Sequence, residues 1–181
     1  MHESKPDRLP GPQLRIRRLV PADATVYREF RLRGLREHPA AFTSSFAEDA
    51  AKPIAATEAR LAADSDTSMW GAFVDGALAG GIGLARETRQ KNRHKADIVA
   101  MYVLPEYGRQ GIGRALVTHV IAVARDAGIE QLTLTVTQTN AAARALYAAA
   151  GFVTFGMEPR AIKIDGTYFA KEHLLLSLGS N

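Results

Sequence analysis

A short segment between a predicted strand and a predicted helix has the residues to bind a phosphate group. The run 107-YGRQGIGRAL-116 places Gly108, Gly111 and Gly113 directly before an apolar helical pattern. Glycine is costly to order, so glycines where a helix begins suggest that a ligand approaches the backbone closely. A helix N-terminus offers unpaired N–H groups and the positive end of the helix dipole. The segment therefore predicts an anion site, with phosphate as the expected ligand.

Two common phosphate motifs do not fit this segment. A dinucleotide fingerprint counted from Gly111 needs Gly or Ala at its sixth position, where the chain has Leu116. A Walker A loop counted from Gly108 needs Lys and then Ser or Thr, but the chain has Arg114 and Ala115. A nucleoside triphosphatase is therefore not expected.

The patterns around the segment predict an α/β chain with a central mixed sheet flanked by helices. Two hairpins are expected at Asp75-Gly76 and Asp165-Gly166. Asn140 is expected to cap a helix, and Gly128 and Gly151 to end helices. The predicted strands are 13–20, 68–74, 77–87, 96–104, 130–137, 152–164 and 167–178. The predicted helices are 21–37, 53–63, 111–127 and 141–150, and a loop is expected over 39–53. Val26, Phe30 and Leu35 are expected on the inner face of the first helix.

The whole chain of 181 residues is expected to form a disordered tail over 1–12 and one domain over 13–181. No cysteine is present, no apolar run is long enough to cross a bilayer and the N-terminus has no signal-peptide pattern, so a cytoplasmic protein without a membrane partner is expected. The net charge of +4 is spread out, which argues against a nucleic-acid partner. The five histidines show no H-x-x-x-H spacing, so no metal is expected.

From Leu14 to Leu178 the sequence resembles the GCN5-related N-acetyltransferase (GNAT) family, most strongly in 101-MYVLPEYGRQGIGRAL-116 and 138-QTNAAARALYAAAGF-152. The family pattern [Arg/Gln]-x-x-Gly-x-[Gly/Ala] falls on residues 108–113, with Gly108 in place of Arg or Gln and the arginine displaced to Arg109. The resemblance implies a GNAT-type acyl-CoA N-acyltransferase fold that uses acetyl-CoA as co-substrate. The residues it implies at the cofactor are Val103, Gly108, Arg109, Gln110, Gly111, Ile112, Gly113, Arg114, Asn140 and Tyr147.

The resemblance also implies individual roles. Tyr147 would be the catalytic acid that returns a proton to the departing CoA thiolate, Asn140 would contact the CoA arm, and the Val103 backbone would contact the acetyl carbonyl or the pantetheine amide. The plainer alternatives are a core tyrosine, a helix cap and core packing.

The general base stays open at this point. Asp97, Glu87 and Glu158 are candidates, but each is better explained as an exposed or salt-bridged carboxylate. His94 and His119 are expected to be exposed to solvent. Glu48 and Asp49, in the expected substrate-side loop over 39–49, would suit a cationic amine or could be solvated.

The expected function is transfer of the acetyl group of acetyl-CoA directly to a primary amine of a small molecule, such as an amino-acid-like metabolite or a toxic amine. The absence of cysteine excludes an acetyl-thiol intermediate on the enzyme. Two alternatives stay open: an acetyltransferase of protein N-termini or lysines, and a catalytically silent CoA-binding regulatory module. The general prevalence of symmetric dimers leaves a homodimer open.

Overall fold

The computed structural model describes residues 13–179, so the predicted tail lies outside the described residues. The strands are β1 (Leu14–Arg18), β2 (Thr67–Val74), β3 (Ala77–Arg86), β4 (Lys95–Val103), β5 (Gln131–Thr137), β6 (Val153–Ile164) and β7 (Thr167–Ser177). The helices are α1 (Ala24–Glu37), α2 (Phe46–Ala51), α3 (Ile54–Leu61), α4 (Ile112–Asp126) and α5 (Ala141–Ala149).

The strands form one sheet in the order β1-β2-β3-β4-β5-β7-β6. Among the strands of residues 13–179 only β4 and β5 run parallel, and every other neighbouring pair is antiparallel. Helices α4 and α5 pack against one face of the sheet, and α1 and α3 contribute to a second apolar cluster. The mixed sheet flanked by helices is therefore confirmed.

The parallel pair opens partway along its length. Pairing between β4 and β5 covers only Lys95–Asp97 against Gln131–Thr133, and beyond these residues the two strands have no ladder partners in each other. Just past this point β4 carries a bulge, because Ala100 and Met101 together lie opposite Ile82 of β3. The backbone φ of Ala100 is +53°, in the left-handed region that residues with a side chain seldom adopt. Bulges occur often beside active sites, where they redirect side chains.

Two local predictions about the helices are wrong. Val26 is 40% exposed, and Tyr27 takes its place on the inner face, one turn from Phe30. Phe30 and Leu35 are buried there as predicted. The loop expected over 39–53 contains the short helix α2. Its N-terminus is fixed by a capping box in which the Ser45 hydroxyl accepts from the Glu48 amide and the Glu48 carboxylate accepts from the Ser45 amide.

The two histidines expected to be exposed behave differently. His94 is exposed, as predicted. The prediction for His119 is wrong, because this side chain is half-buried and its Nε2 atom is buried without a hydrogen-bond partner among the described residues. Its ring lies edge-on to Trp70 with 6.0 Å between centroids. Trp70 is distant in sequence, so the pattern of polar residues along α4 could not predict that His119 packs against it.

Candidate active site

A series of unpaired backbone amides lies at the start of α4. Arg109 (φ +60°) and Gly111 (φ +78°) are left-handed, and Gly111 is the N-cap residue without any side-chain cap. The first hydrogen bond of the helix runs from the Ala115 amide to the Gly111 carbonyl at 2.9 Å. The amides of residues 112–114 therefore precede the helical ladder, and they have no backbone acceptor within the described part of the chain. This amide cradle, residues 109–114, is the concave donor arrangement that binds anions.

Gly111 and Gly113 of the cradle are glycines for different structural reasons. A Cβ atom at Gly111 would meet no atom within 4 Å, so the backbone conformation and not crowding requires glycine there. A Cβ atom at Gly113 would lie 3.3 Å from Met101 Cε and 3.4 Å from Leu146 Cδ2. Gly113 therefore leaves room for side chains that line the adjacent cavity.

The cradle opens into a cavity of about 680 Å³, called here the large cavity. This volume suits a small-molecule ligand of cofactor size. The residues predicted at the cofactor that line it are Val103, Gly108, Arg109, Gly111, Ile112, Gly113 and Asn140. It is also lined by the segment 37–41, which closes it from the side of α1.

Three residues predicted at the cofactor do not offer their side chains to the large cavity. Gln110 does not line the large cavity, and its Nε2 donates weakly to the Glu106 carbonyl at 3.4 Å. The Arg114 side chain is exposed and also lies outside the lining. Ile112 is 2% exposed and packs in the core, so only its backbone is available to a ligand.

A second cavity of about 320 Å³, called here the polar chamber, adjoins the large cavity. The two share the lining residues Ala41, Met101, Thr137, Asn140 and Ala143. Tyr147 of α5 lines the chamber from one side of the sheet, and Arg31 of α1 and Arg60 of α3 line it from the other. The passage therefore crosses the sheet through the opening between β4 and β5.

Tyr147 is buried at the chamber wall. It is 5% exposed, and its ring lies edge-on to Phe152 with 5.7 Å between centroids. Burial raises the pKa of the Tyr147 phenol well above its ordinary value, because the charged phenolate is poorly solvated there. The phenol is therefore protonated at neutral pH.

The remaining two predicted contacts have clear backbone geometry. The Asn140 side-chain oxygen accepts from the Ala143 amide at 3.1 Å, so the predicted helix cap is confirmed. The Leu104 amide donates to the Ala79 carbonyl of β3 at 2.9 Å. Because amides alternate in direction along a strand, the Val103 amide points away from β3, toward the opening beside β5.

The segment between α1 and α2 is fastened over both cavities. The Thr137 hydroxyl donates to the Ala40 carbonyl at 2.5 Å, and the Lys171 ammonium donates to the Thr43 hydroxyl at 2.6 Å. Lys171 is only 7% exposed, and its burial lowers its pKa. Lys171, Arg31 and Arg60 could not be predicted from the sequence, because they come from three distant elements and no local motif links them.

Another cluster borders the mouth of the large cavity. Arg33 binds both carboxylate oxygens of Glu106, at 2.6 and 2.9 Å, and also the Glu37 carboxylate at 2.8 Å. Glu37 in turn accepts from the Tyr102 hydroxyl at 3.2 Å. Burial and the neighbouring Glu37 carboxylate raise the pKa of Tyr102 to about 12. This network fixes the end of α1 against β4.

The candidate bases lie away from the polar chamber. Asp97 accepts from the Thr133 hydroxyl and lines a separate cavity beside Phe155. Glu158 contacts His173 Nε2 at 3.0 Å, and Glu87 lines neither the large cavity nor the chamber. Among the described residues no Asp or Glu lines the polar chamber. The described residues also contain no group of three or more Asp, Glu and His side chains able to hold a metal ion.

The two acidic residues of the substrate-side loop have structural partners. The Glu48 carboxylate is engaged in the α2 capping box. Asp49 lies between Arg31 Nε at 2.7 Å and Lys52 Nζ at 2.5 Å, and only 11% of its side chain is exposed. These contacts leave neither carboxylate as a free partner for a cationic acceptor. No helix within residues 13–179 is long and apolar enough to span a membrane.

Comparison with known proteins agrees with this geometry. Residues 31–152 match the acetyltransferase (GNAT) family, and the chain belongs to that family. A GNAT acetyltransferase from Streptococcus pneumoniae is 29% identical with a TM-score of 0.83, covering 91% of this chain and 99% of that one. The fold is also shared with YncA, a putative acetyltransferase from Salmonella typhimurium solved with acetyl-CoA, at 21% identity and a TM-score of 0.77 over 93% and 96% of the two chains.

One curated relative carries a more specific description. The ribosomal protein bS18-alanine N-acetyltransferase of Escherichia coli K12 is 45% identical over 58 residues, which is 32% of this chain. The chain spans about two fifths of the length of that relative, 39%. Family membership confirms the resemblance, the fold and the enzyme class that the sequence predicted, the acetyl-CoA-dependent N-acetyltransferases.

Proposed function

We propose that this protein transfers the acetyl group of acetyl-CoA directly to a primary amine of a small molecule. The observation that carries the proposal is the continuous passage from the amide cradle, through the large cavity, to the polar chamber beside Tyr147. An anionic cofactor arm and a small acceptor can reach the same point from opposite faces of the sheet in such a passage. Holding two reactants in line in this way supplies much of the rate enhancement of group transfer.

The residues at the cradle end suit acetyl-CoA. The amides of residues 109–114 and the positive end of α4 favour its pyrophosphate, and these donors do not depend on side-chain identity. The replacement of the family's first Arg or Gln by Gly108 is therefore compatible with binding. When bound, acetyl-CoA supplies an activated acyl group as a thioester.

The residues at the chamber end suit the transfer step. The Val103 amide faces the opening between the strands, where it can donate to a carbonyl oxygen and stabilise the charge that develops on it. The Tyr147 hydroxyl lines the chamber and can give its proton to the departing thiolate. The absence of cysteine favours direct attack by the amine without a covalent enzyme intermediate.

A second candidate is acetylation of a protein N-terminus, favoured by the ribosomal-protein-alanine activity of the curated relative. The chamber volume of about 320 Å³ and the fastened segment over it favour a small acceptor instead. The two are separated by measuring acetyl transfer to a panel of small amines and to alanine-initiated peptides. Turnover of peptides alone would overturn the small-molecule proposal.

Calorimetry with acetyl-CoA tests the cofactor half of the proposal without knowledge of the acceptor. Saturable binding is expected at micromolar to millimolar cofactor. Lack of binding would overturn the proposal, and binding without turnover of any amine or peptide would favour the third candidate, a silent CoA-binding module.

A further inference from the structure

The polar chamber contains more positive charge than its surroundings neutralise. Three cationic residues line it, Arg31, Arg60 and Lys171. Arg31 is paired with Asp49 at 2.7 Å. Among the described residues no carboxylate oxygen lies within ion-pair distance of the charged nitrogens of Arg60 or Lys171. Arg60 and Lys171 therefore face the chamber without a carboxylate in ion-pair contact; burial lowers the pKa of Lys171, and Glu158, beyond that distance, partly offsets this.

Hydrogen-bonding groups without a partner occur at the chamber wall and in the cavity beside it. Among residues 13–179 the buried Arg60 Nε meets no acceptor within hydrogen-bond geometry, although the Tyr27 hydroxyl is close enough for Arg60 to affect the pKa of that phenol. The hydroxyl of Tyr27, a residue only 2% exposed, is likewise buried without a hydrogen-bond partner. Tyr27 and Arg60 line a neighbouring cavity of about 300 Å³ between α1 and α3, which also shares Arg31 with the chamber. A buried donor left unsatisfied is costly, so groups of this kind indicate a site for a ligand acceptor.

Lys171 also lines the chamber and has hydrogen-bond donors to spare. Its Nζ donates one hydrogen bond, to the Thr43 hydroxyl at 2.6 Å. An ammonium has three donors, so further donors are available to a ligand. Glu158, its cross-strand neighbour, is 53% exposed on its side chain and contacts His173 instead.

We propose that the acceptor is an amine that also carries a carboxylate, and that Arg60 and Lys171 hold this carboxylate in the polar chamber. The proposal rests on the proposed function and narrows it to amino-acid-like acceptors. A purely cationic acceptor does not fit, because the chamber has no free carboxylate to hold a second positive charge. With its carboxylate held by the two cations, the acceptor presents its amine to the opening between β4 and β5.

The transfer balances without another reactant. The ammonium first loses one proton to water, and the neutral nitrogen then forms a bond to the acetyl carbon as the carbon–sulfur bond breaks. The nitrogen loses its second proton to solvent, and Tyr147 gives one proton to the sulfur and is reprotonated from solvent. The products are an N-acetylated amino acid, CoA as free thiol and one net proton.

Matched acceptors that differ only at the carboxylate test the proposal. Methionine, glutamate and phenylalanine are compared with their α-carboxamides, which keep the amine and the side chain. Because the amide lowers the pKa of the neighbouring amine, the rates are compared at a pH above the pKa of both amines. A hydrogen bond to a charged group contributes about 1.5–3 kcal/mol, so kcat/KM for the acids is expected to exceed that for the amides by about 10- to 100-fold. Equal kcat/KM values for acids and amides would overturn the inference while leaving the proposed function intact.

Three variants locate the effect. Arg60→Gln and Lys171→Met are expected to reduce the preference for acids toward unity, whereas Lys171→Arg should keep most of it. Lys163→Met is the matched control, since Lys163 is an exposed lysine of β6 outside the chamber. A preference for acids that persists in both Arg60→Gln and Lys171→Met would also overturn the inference.

A binding measurement separates this inference from the proposed function. Thermal unfolding is followed with CoA and either N-acetylmethionine or N-acetylmethioninamide, which needs no turnover. Stabilisation by the acid alone, lost in Arg60→Gln, supports the carboxylate site. Lack of stabilisation by the acid would overturn it. Turnover of amines in the panel, whether or not they carry a carboxylate, reports separately on the proposed function.

Discussion

Replacing Gly111 with alanine tests the amide cradle, because this residue combines a left-handed backbone with the start of α4. A residue with a Cβ atom costs roughly 1–2 kcal/mol in the left-handed conformation. No neighbouring atom lies within 4 Å of the added Cβ, so crowding adds nothing to this figure. The free energy of unfolding should therefore fall by about 1 kcal/mol, a decrease in Tm of about 2–4 °C for a domain of this size.

The effect on cofactor binding should be larger than the effect on stability. The added methyl group lies beside the unpaired amides, and any relaxation of φ turns those amides away from a bound pyrophosphate. A hydrogen bond to a charged group contributes about 1.5–3 kcal/mol, so loss of one raises the Kd for acetyl-CoA about 10- to 100-fold. Calorimetry measures this Kd directly, without the acceptor.

Gly128→Ala provides the matched control at the opposite end of the same helix. Gly128 has φ +73° and no atom within 4 Å of an added Cβ, and it lines neither the large cavity nor the polar chamber. It should lose a similar free energy of unfolding and keep the wild-type Kd. Arg109→Ala should change the Kd less than Gly111→Ala, since backbone donors dominate. Wild-type affinity of Gly111→Ala for acetyl-CoA, or a larger loss of affinity in Arg109→Ala, would show that the backbone amides do not dominate cofactor binding.

Three further outcomes are expected. Tyr147→Phe should lower kcat by about 10- to 100-fold with little change in acetyl-CoA Kd, measured where chemistry limits the rate; an unchanged kcat would leave Tyr147 as a core residue. Asn140→Ala removes the cap of α5 and should lower the free energy of unfolding, measured by chemical denaturation, by about 1 kcal/mol. Asn140→Asp keeps the cap, so an equal loss in both variants would contradict the capping role. Hydrogen bonding from Arg17 lowers the pKa of Asp23. The wild type should therefore be more stable than Asp23→Asn by its full margin above about pH 4, and this margin should vanish as the pH falls through the lowered pKa. A margin that does not change with pH in denaturation experiments would count against this ion pair.

The strands and helices were largely predictable because their signals are local. The turns at Asp75-Gly76 and Asp165-Gly166 both have the positive φ angles that a two-residue hairpin needs. The amphipathic pattern of α4 placed its ends within a residue of those observed. The exception, α2, has only six residues, too few for the periodicity that identifies a helix.

The cradle was predictable for the same reason, whereas the polar chamber was not. Gly108 to Arg114 are contiguous, so their spacing can be read directly from the sequence. Arg31, Arg60 and Lys171 meet only because α1, α3 and β7 converge at the opening in the sheet. No short-range sequence pattern predicts that these three residues lie close together, and in the sequence each one looks like an ordinary surface cation.

The bulge in β4 explains why the residues near Val103 could not be assigned to a face from alternation. Ala96 and Ile98 belong to the apolar cluster under α4, and strict alternation would place Tyr102 and Leu104 there as well. The extra residue at Ala100 reverses the order, so that Met101 and Val103 pack toward α4 and Tyr102 and Leu104 join the cluster under α1. The left-handed backbone at Ala100 therefore determines which side chains of β4 face α4.

Substitution of Ala100 tests this conclusion. Ala100→Gly removes the cost of about 1–2 kcal/mol that a side chain incurs in the left-handed conformation. It also favours the unfolded chain by about 0.4–1 kcal/mol, because glycine gives that chain more conformational entropy. The free energy of unfolding should therefore stay equal or rise slightly. Ala100→Val should lose at least about 1 kcal/mol, because a β-branched residue is a clear outlier at positive φ. If the bulge is displaced, Met101 and Val103 rotate away from α4 and the acetyl-CoA Kd rises. Chemical denaturation and calorimetry on both variants measure the two effects, and wild-type stability and Kd in Ala100→Val would show that the bulge does not set the cavity wall.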